Sequence, residues 1–135
     1  MFLAGLSKRQ KELFRDISIF IAFSDGDYAD SEKAVLRSYC TEMNIPYTEI
    51  TTTSDIHEAI DEIINISSDN ERKAIGFEIM GMVMADGIYE DSERVCVEEY
   101  SKKTGIPMKR FDNMASLVTK IYAMNDEIRK TVFFN

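Results

Sequence analysis

The chain has 135 residues, a formal net charge of −8 at pH 7 and an apolar fraction of 44%. That is one domain of ordinary size with enough apolar residues for a core. Its acidity argues against nucleic acid and anionic membrane surfaces, which would repel it; a cation or a basic protein partner fits better, unless the charge serves solubility alone.

The start, Met1-Phe2-Leu3-Ala4-Gly5-Leu6, is apolar but shorter than a signal-peptide core. It runs straight into Ser7-Lys8-Arg9-Gln10-Lys11-Glu12 with no small-residue cleavage site, so a cytoplasmic location is expected. No apolar run approaches the ~20 residues that cross a bilayer, so no membrane insertion is expected.

Ser7, with Gln10 three residues on, reads as the capping box of a first helix. Leu13, Ile17, Phe20 and Ile21 give it a stripe, which Ile19, Ala22 and Phe23 widen to most of the circumference. Such a helix belongs inside a protein. Asp25-Gly26 ends it. A second helix is expected from about Asp30 to Met43, with Val35, Leu36, Tyr39 and Met43 inward, Asn44 as its C-terminal residue and Ile45-Pro46 as its stop. Thr48 to Thr53 is a loop. Ser54 is then expected to cap a third helix, whose Ile56, Ala59, Ile60, Ile63 and Ile64 recur at helical spacing.

Ser68 and Glu71 form another capping box. Helix four, about Asp69 to Ala85, is again apolar nearly all round, and Gly76 and Gly81 on it would let a neighbour approach closely. Its Met80, Met82 and Met84 read as adaptable core filling. Helix five runs from about Asp91 to Thr104 and ends at Gly105. A sixth helix carries Met114, Leu117, Val118, Ile121 and Met124. A short terminal helix, about Asp126 to Phe133, is expected to dock its phenylalanines back on the core.

The informative feature is a repeat. Asp25-Gly26-Asp27-Tyr28-Ala29-Asp30-Ser31-Glu32 returns as Asp86-Gly87-Ile88-Tyr89-Glu90-Asp91-Ser92-Glu93, offset by 61. Between 25–46 and 86–107, 9 of 22 aligned positions are identical, too many in phase for coincidence. The expected architecture is therefore an all-α single globular domain over 1–135, with about six to seven helices in two pseudo-symmetric three-helix repeats, about 7–66 and 68–125, sharing one core.

Each motif sets an Asp at the end of one helix against a Glu in the first turn of the next. The Glu gains from the positive end of its helix, and the Asp meets the negative end of the other. A turn amide, a basic side chain or a cation should compensate; an Asx-turn is the simplest way. Gly26 to Glu32 and Gly87 to Glu93 keep the Gly-to-Glu spacing of a calcium loop. The earlier ligand positions are Ile21 and Phe23 in one copy and Met82 and Met84 in the other, which cannot bind a hard cation. Each copy is at most half of such a loop. A weaker site, completed by water or by other carboxylates, stays open to a divalent cation such as Ca, Mg or Zn.

Ala85-Asp86-Gly87-Ile88-Tyr89-x-x-x-Glu93, with its partner Phe23-Ser24-Asp25-Gly26-Asp27-Tyr28-x-x-x-Glu32, resembles the TerB tellurite-resistance-like family over roughly residues 8 to 125. The resemblance implies an all-helical, internally duplicated fold and an acidic, metal-associated site at Asp25, Glu32, Asp86 and Glu93. It also implies a role in stress or tellurite resistance, or as an adaptor domain. The chain departs from the family pattern where Ser or Thr usually caps the second helix: Ala29 and Glu90 stand there, and Asp30 and Asp91 are candidates to take over the cap. Ser24 replaces the usual Ala, and Asp27 is an extra acid.

An enzyme is not expected. His57 is the lone histidine, and no phosphate loop, CxxC, HExxH or GxSxG is present. Cys40 and Cys96 fall at non-equivalent positions and read as buried thiols. Glu78, inside the apolar fourth helix, is expected to reach solvent at one edge; otherwise it is a buried acid with a raised pKa or a cation partner. The readings left are a cation-associated TerB-like module and a protein-interaction or scaffold domain without metal, as a monomer or homodimer.

Overall fold

A computed structural model describes every residue except Asp25, Asp27 and Asn135. Among the described residues there are six α-helices and no strand: α1 Lys8–Phe23, α2 Asp30–Met43, α3 Ile56–Asn65, α4 Asp69–Val83, α5 Asp91–Thr104 and α6 Met108–Phe133. The all-α reading holds.

Local chemistry sets most of these bounds. Ser7 and Ser68 each accept from the amide three residues on, and Gln10 and Glu71 return the bond to the cap amides. Asn44 ends α2 in the left-handed conformation, at φ 55°. α3 departs from expectation by one residue. Its cap is Asp55, whose carboxylate accepts from His57 N at 2.9 Å, and not Ser54. An aspartate next to the first helical residue holds the free amides at closer reach.

α1 and α4 lie against each other at the centre; α2 and α3 pack on α1, and α5 and α6 pack on α4. The core is one cluster, with Leu13, Phe14, Ile17, Leu36, Ile60, Ile63, Ile79, Met80, Met82 and Phe111 all essentially inaccessible. Met80 and Met82 are thus core filling. Gly76 lies under the rings of Tyr100 and Phe111, and Gly81 under Tyr39.

α1 also buries polar groups. Asp16, with no exposed surface, accepts from the amides and hydroxyls of Thr52 and Thr53 at 2.7–3.0 Å. That ties the loop before α3 to the middle of α1. Gln10 reaches across to Ser67 Oγ at 2.9 Å, inside the protein.

Three further expectations need correction. The terminal helix is not separate: α6 runs unbroken for 26 residues. Neither Gly nor Pro interrupts Met108 to Phe133, and Asp126 pairs with Arg129 and Lys130 one turn on, which carries the helix forward. Its phenylalanines do not dock, since Phe133 is 76% exposed and Phe134 66%. The inward face of α6 is Phe111, Ala115 and Val118, while Leu117 and Met124 point outward. Glu78 does not reach solvent either; it is 3% exposed, 3.3 Å from the amino-terminal ammonium of Met1. Burial pushes its carboxyl above the usual range, against the pull of that ammonium.

α2 and α5 start and stop in step, Asp30–Met43 against Asp91–Thr104, each bound 61 residues apart. α3 and α6 do not match, since one has 10 residues and the other 26.

Candidate functional site at the paired Asp-Gly junctions

Both junctions are built alike where they are described. After α1, Gly26 N donates to Phe23 O at 3.0 Å; after α4, Gly87 N donates to Met84 O at 3.0 Å. Gly26 and Gly87 have φ of 79° and 81°, a conformation that costs other residues a steric clash. Glycine stands at both places because each needs a backbone with positive φ.

An extended residue leads into each next helix. The N-caps are Ala29 and Glu90, and neither supplies a side-chain cap. Asp30 and Asp91 do not take over that position; they are the first helical residues. The half of the capping box that survives is the glutamate. Glu32 Oε1 accepts from Ala29 N at 3.2 Å, and Glu93 Oε1 from Glu90 N at 3.1 Å. Both carboxylates are nearly inaccessible, at 3% and 4%.

Asp86 follows the simplest of the expected routes. Its Oδ1 accepts from Ile88 N at 2.9 Å, an Asx-turn that satisfies the carboxylate locally while it stays exposed. Asp25, its counterpart, lies outside the described residues, as does Asp27. Among the described residues, no group of three or more His, Cys, Asp or Glu is arranged to hold a metal ion.

The tyrosines of the two motifs take different partners. Tyr28 packs on Phe23, with ring centroids 4.4 Å apart, and shares a 2.8 Å hydrogen bond with Tyr47. Arg37 covers the Tyr47 ring at 4.0 Å. Tyr89 lies under Arg94, at 5.5 Å, and burial pushes its hydroxyl up to about 12.

The junctions themselves come together. Ser24, closing α1, and Ser92, in the first turn of α5, place their hydroxyl oxygens 3.4 Å apart. Beside them opens a cleft of about 250 Å³ between α1, α3 and α5. Phe20, Ile21, Ile56, Val95 and Cys96 give it apolar walls, and the buried Glu93 also lines it. At its other end His57 Nδ1 sits 2.6 Å from Glu99 Oε1, Glu99 Oε2 is 2.8 Å from Lys103 Nζ, and Lys103 reaches Asp61 at 2.6 Å. His57 is exposed.

This network escaped the sequence reading. Glu99 and Lys103 are one turn apart and could have been paired by spacing. Nothing in the sequence connects them to His57 and Asp61, which come from α3. Chemically, the cleft offers apolar walls, the buried Glu93, the Glu99 carboxylate shared between His57 and Lys103, and one imidazole. Cys96 is a poor nucleophile, because burial pushes its thiol up to about 12. Cys40 is likewise a buried free thiol.

A scan against protein-family models and searches of curated proteins and of solved structures find no match to this chain.

Proposed function

We propose that the chain is a non-enzymatic binding module of the TerB-like type, working as an adaptor in a stress-type response, and that it engages a protein partner where its two Asp-Gly junctions meet. The observation behind this reading is the 3.4 Å approach of Ser24 and Ser92, which brings the end of α1 and the start of α5 together at one apolar cleft. Apolar walls with the Glu99 carboxylate at one end suit a peptide that presents an aliphatic or aromatic side chain next to a Lys or Arg able to compete for Glu99. The −8 charge favours such a partner over an acidic one.

Selection from a displayed random-peptide library tests it. Peptides combining a large apolar residue with a neighbouring basic one should be enriched. Their binding should fall at least tenfold in Val95→Glu and in Glu99→Lys, both of which alter the cleft and not the core. No enrichment, or binding indifferent to both substitutions, would reject the reading.

A second reading has the same juxtaposition in its favour: a divalent cation held near the junctions by Asp25, Glu32, Asp86 and Glu93. Against it stands the employment of Asp86 in its turn and of Glu32 and Glu93 at helix caps. Millimolar Ca, Mg, Mn or Zn should then raise the melting temperature of the wild type and not that of Asp25→Asn/Asp86→Asn. A wild type unmoved by all four ions removes this reading.

A further inference from the structure

The side of α6 turned away from Phe111, Ala115 and Val118 carries a second apolar pattern, of which Met114 also packs against the core. Met114, Leu117, Ile121, Met124, Ile128 and Thr131 are spaced 3, 4, 3, 4 and 3 apart. That is the repeat of a two-helix seam, distinct from the Phe111, Ala115, Val118 face buried against the body. Leu117, Met124 and Ile128 are each more than half exposed, at 51, 55 and 52%. Beyond Asp126 every described residue of α6 is exposed, Ile128, Val132 and Phe133 included. A helix end with that much exposed apolar surface is marginal in water.

The body supplies a complement. Next to the first half of α6, an apolar groove between α4 and α6 is lined by Phe2, Ala74, Phe77, Met114 and Leu117. We infer that a second copy of this chain covers both features: two α6 helices pair antiparallel about a twofold axis between Ile121 and Met124. In that register Ile121 meets Met124 of the other copy, Leu117 meets Ile128, and Met114 meets Thr131. The projecting segment of one copy, with Ile128, Val132 and Phe133, then lies along residues 112–117 of the other, at the groove.

Charge selects this orientation. Lys120 and Glu127 flank the seam on the same side, seven residues apart, and both are exposed. Antiparallel pairing brings Lys120 of each copy beside Glu127 of the other, twice. Parallel pairing would set Lys120 against Asn125 and Glu127 against Val132, with no opposite charges to pair.

The full chain should sediment as a dimer at tens of micromolar. Leu117→Glu and Met124→Lys, both at exposed positions, should give a folded monomer with an unchanged helical circular-dichroism spectrum. Lys120→Glu alone and Glu127→Lys alone should each weaken the dimer at least tenfold, and the double swap should restore it. Nitroxide labels on Lys109→Cys should lie about 40 Å apart along the axis, given ~1.5 Å of rise per residue. A wild type that stays monomeric at 200 µM, a dimer indifferent to Leu117→Glu, a double swap that fails to restore pairing, or labels within about 20 Å would each overturn the assignment.

Discussion

The hydroxyl of Tyr39 occupies the space where a side chain on Gly81 would begin, so that a Cβ there would overlap it. Tyr39 donates from that position to the Glu78 carbonyl at 2.8 Å, and Tyr122 donates to the carbonyl of Gly81 at 2.6 Å. α2 and α6 thus both close on α4 through this glycine. Gly81→Ala should destabilise by about 1–3 kcal/mol, the usual cost of overfilling a packed core. Tyr39→Phe removes the overlapping oxygen and one hydrogen bond, a loss of about 1 kcal/mol by itself. In the double variant the two losses should add to clearly less than their sum. Strict additivity in urea unfolding would show that the contact does not decide the cost.

Asp16 makes a comparable demand on the loop before α3. Its two oxygens take four hydrogen bonds from Thr52 and Thr53, and Oδ2 alone takes three of them. Asp16→Asn would turn an amide toward donors and leave buried groups unpaired, for a loss of about 2–4 kcal/mol. Limited proteolysis should then cut between residues 48 and 55 before it cuts elsewhere. If Asp16→Asn unfolds at the wild-type urea concentration, the contact carries no net stability.

Glu78 and Glu42 share the amino-terminal ammonium and should respond to pH with opposite signs. Burial raises the Glu78 carboxyl above its ordinary 4.5 in the folded chain. A carboxyl raised in this way binds its proton more tightly when folded, so its contribution falls as pH rises from 4.5 upward. For Glu42, burial acts upward but is outweighed by the ammonium at 2.6 Å and by the Leu3 amide, and the net direction is down. Its contribution is present above 4.5 and fades below it. Glu78→Gln should therefore melt at or above the wild-type temperature at pH 8 and lose that advantage by pH 4. Glu42→Gln should melt lower at pH 7 and match the wild type at pH 3. A melting series from pH 3 to 8 reads both, and two curves of the same sign would contradict the assignment.

Much of this molecule could be read from its sequence, and the limits have physical causes. Ser7, Ser68 and Asn44 announce helix ends because the chemistry of an end is local. The Asp-Gly reversals could be read for the same reason, down to the Asx-turn of Asp86. α6 departs from expectation because periodicity states that a face is apolar and not what covers it; Met124 and Ile63 stand 61 residues apart, at equivalent places of the repeat, and only Ile63 is buried. Glu78 was misplaced for a related reason, since the lid that excludes solvent from it, Met1 and Phe2, lies 76 residues away or more. The approach of Ser24 to Ser92 depends on how α1 and α5 pack, which no motif records.

The two bare N-caps give the most direct test of how the junctions are built. Ala29 and Glu90 hold the extended conformation of a cap, at ψ 154° and 151°, but neither side chain accepts from the first turn. Glu32 and Glu93 already supply the returning half of a capping box. A hydroxyl at the cap would complete it. Ala29→Ser and Glu90→Ser should each stabilise the protein by about 0.5–1 kcal/mol, within the usual worth of such a cap. Ala29→Val supplies bulk without an acceptor and separates the hydrogen bond from packing. Serine above alanine and valine in melting temperature is the expected order. Serine no better than valine would mean that the amides at the start of α2 are already satisfied, and that the junction closes by other contacts than a cap.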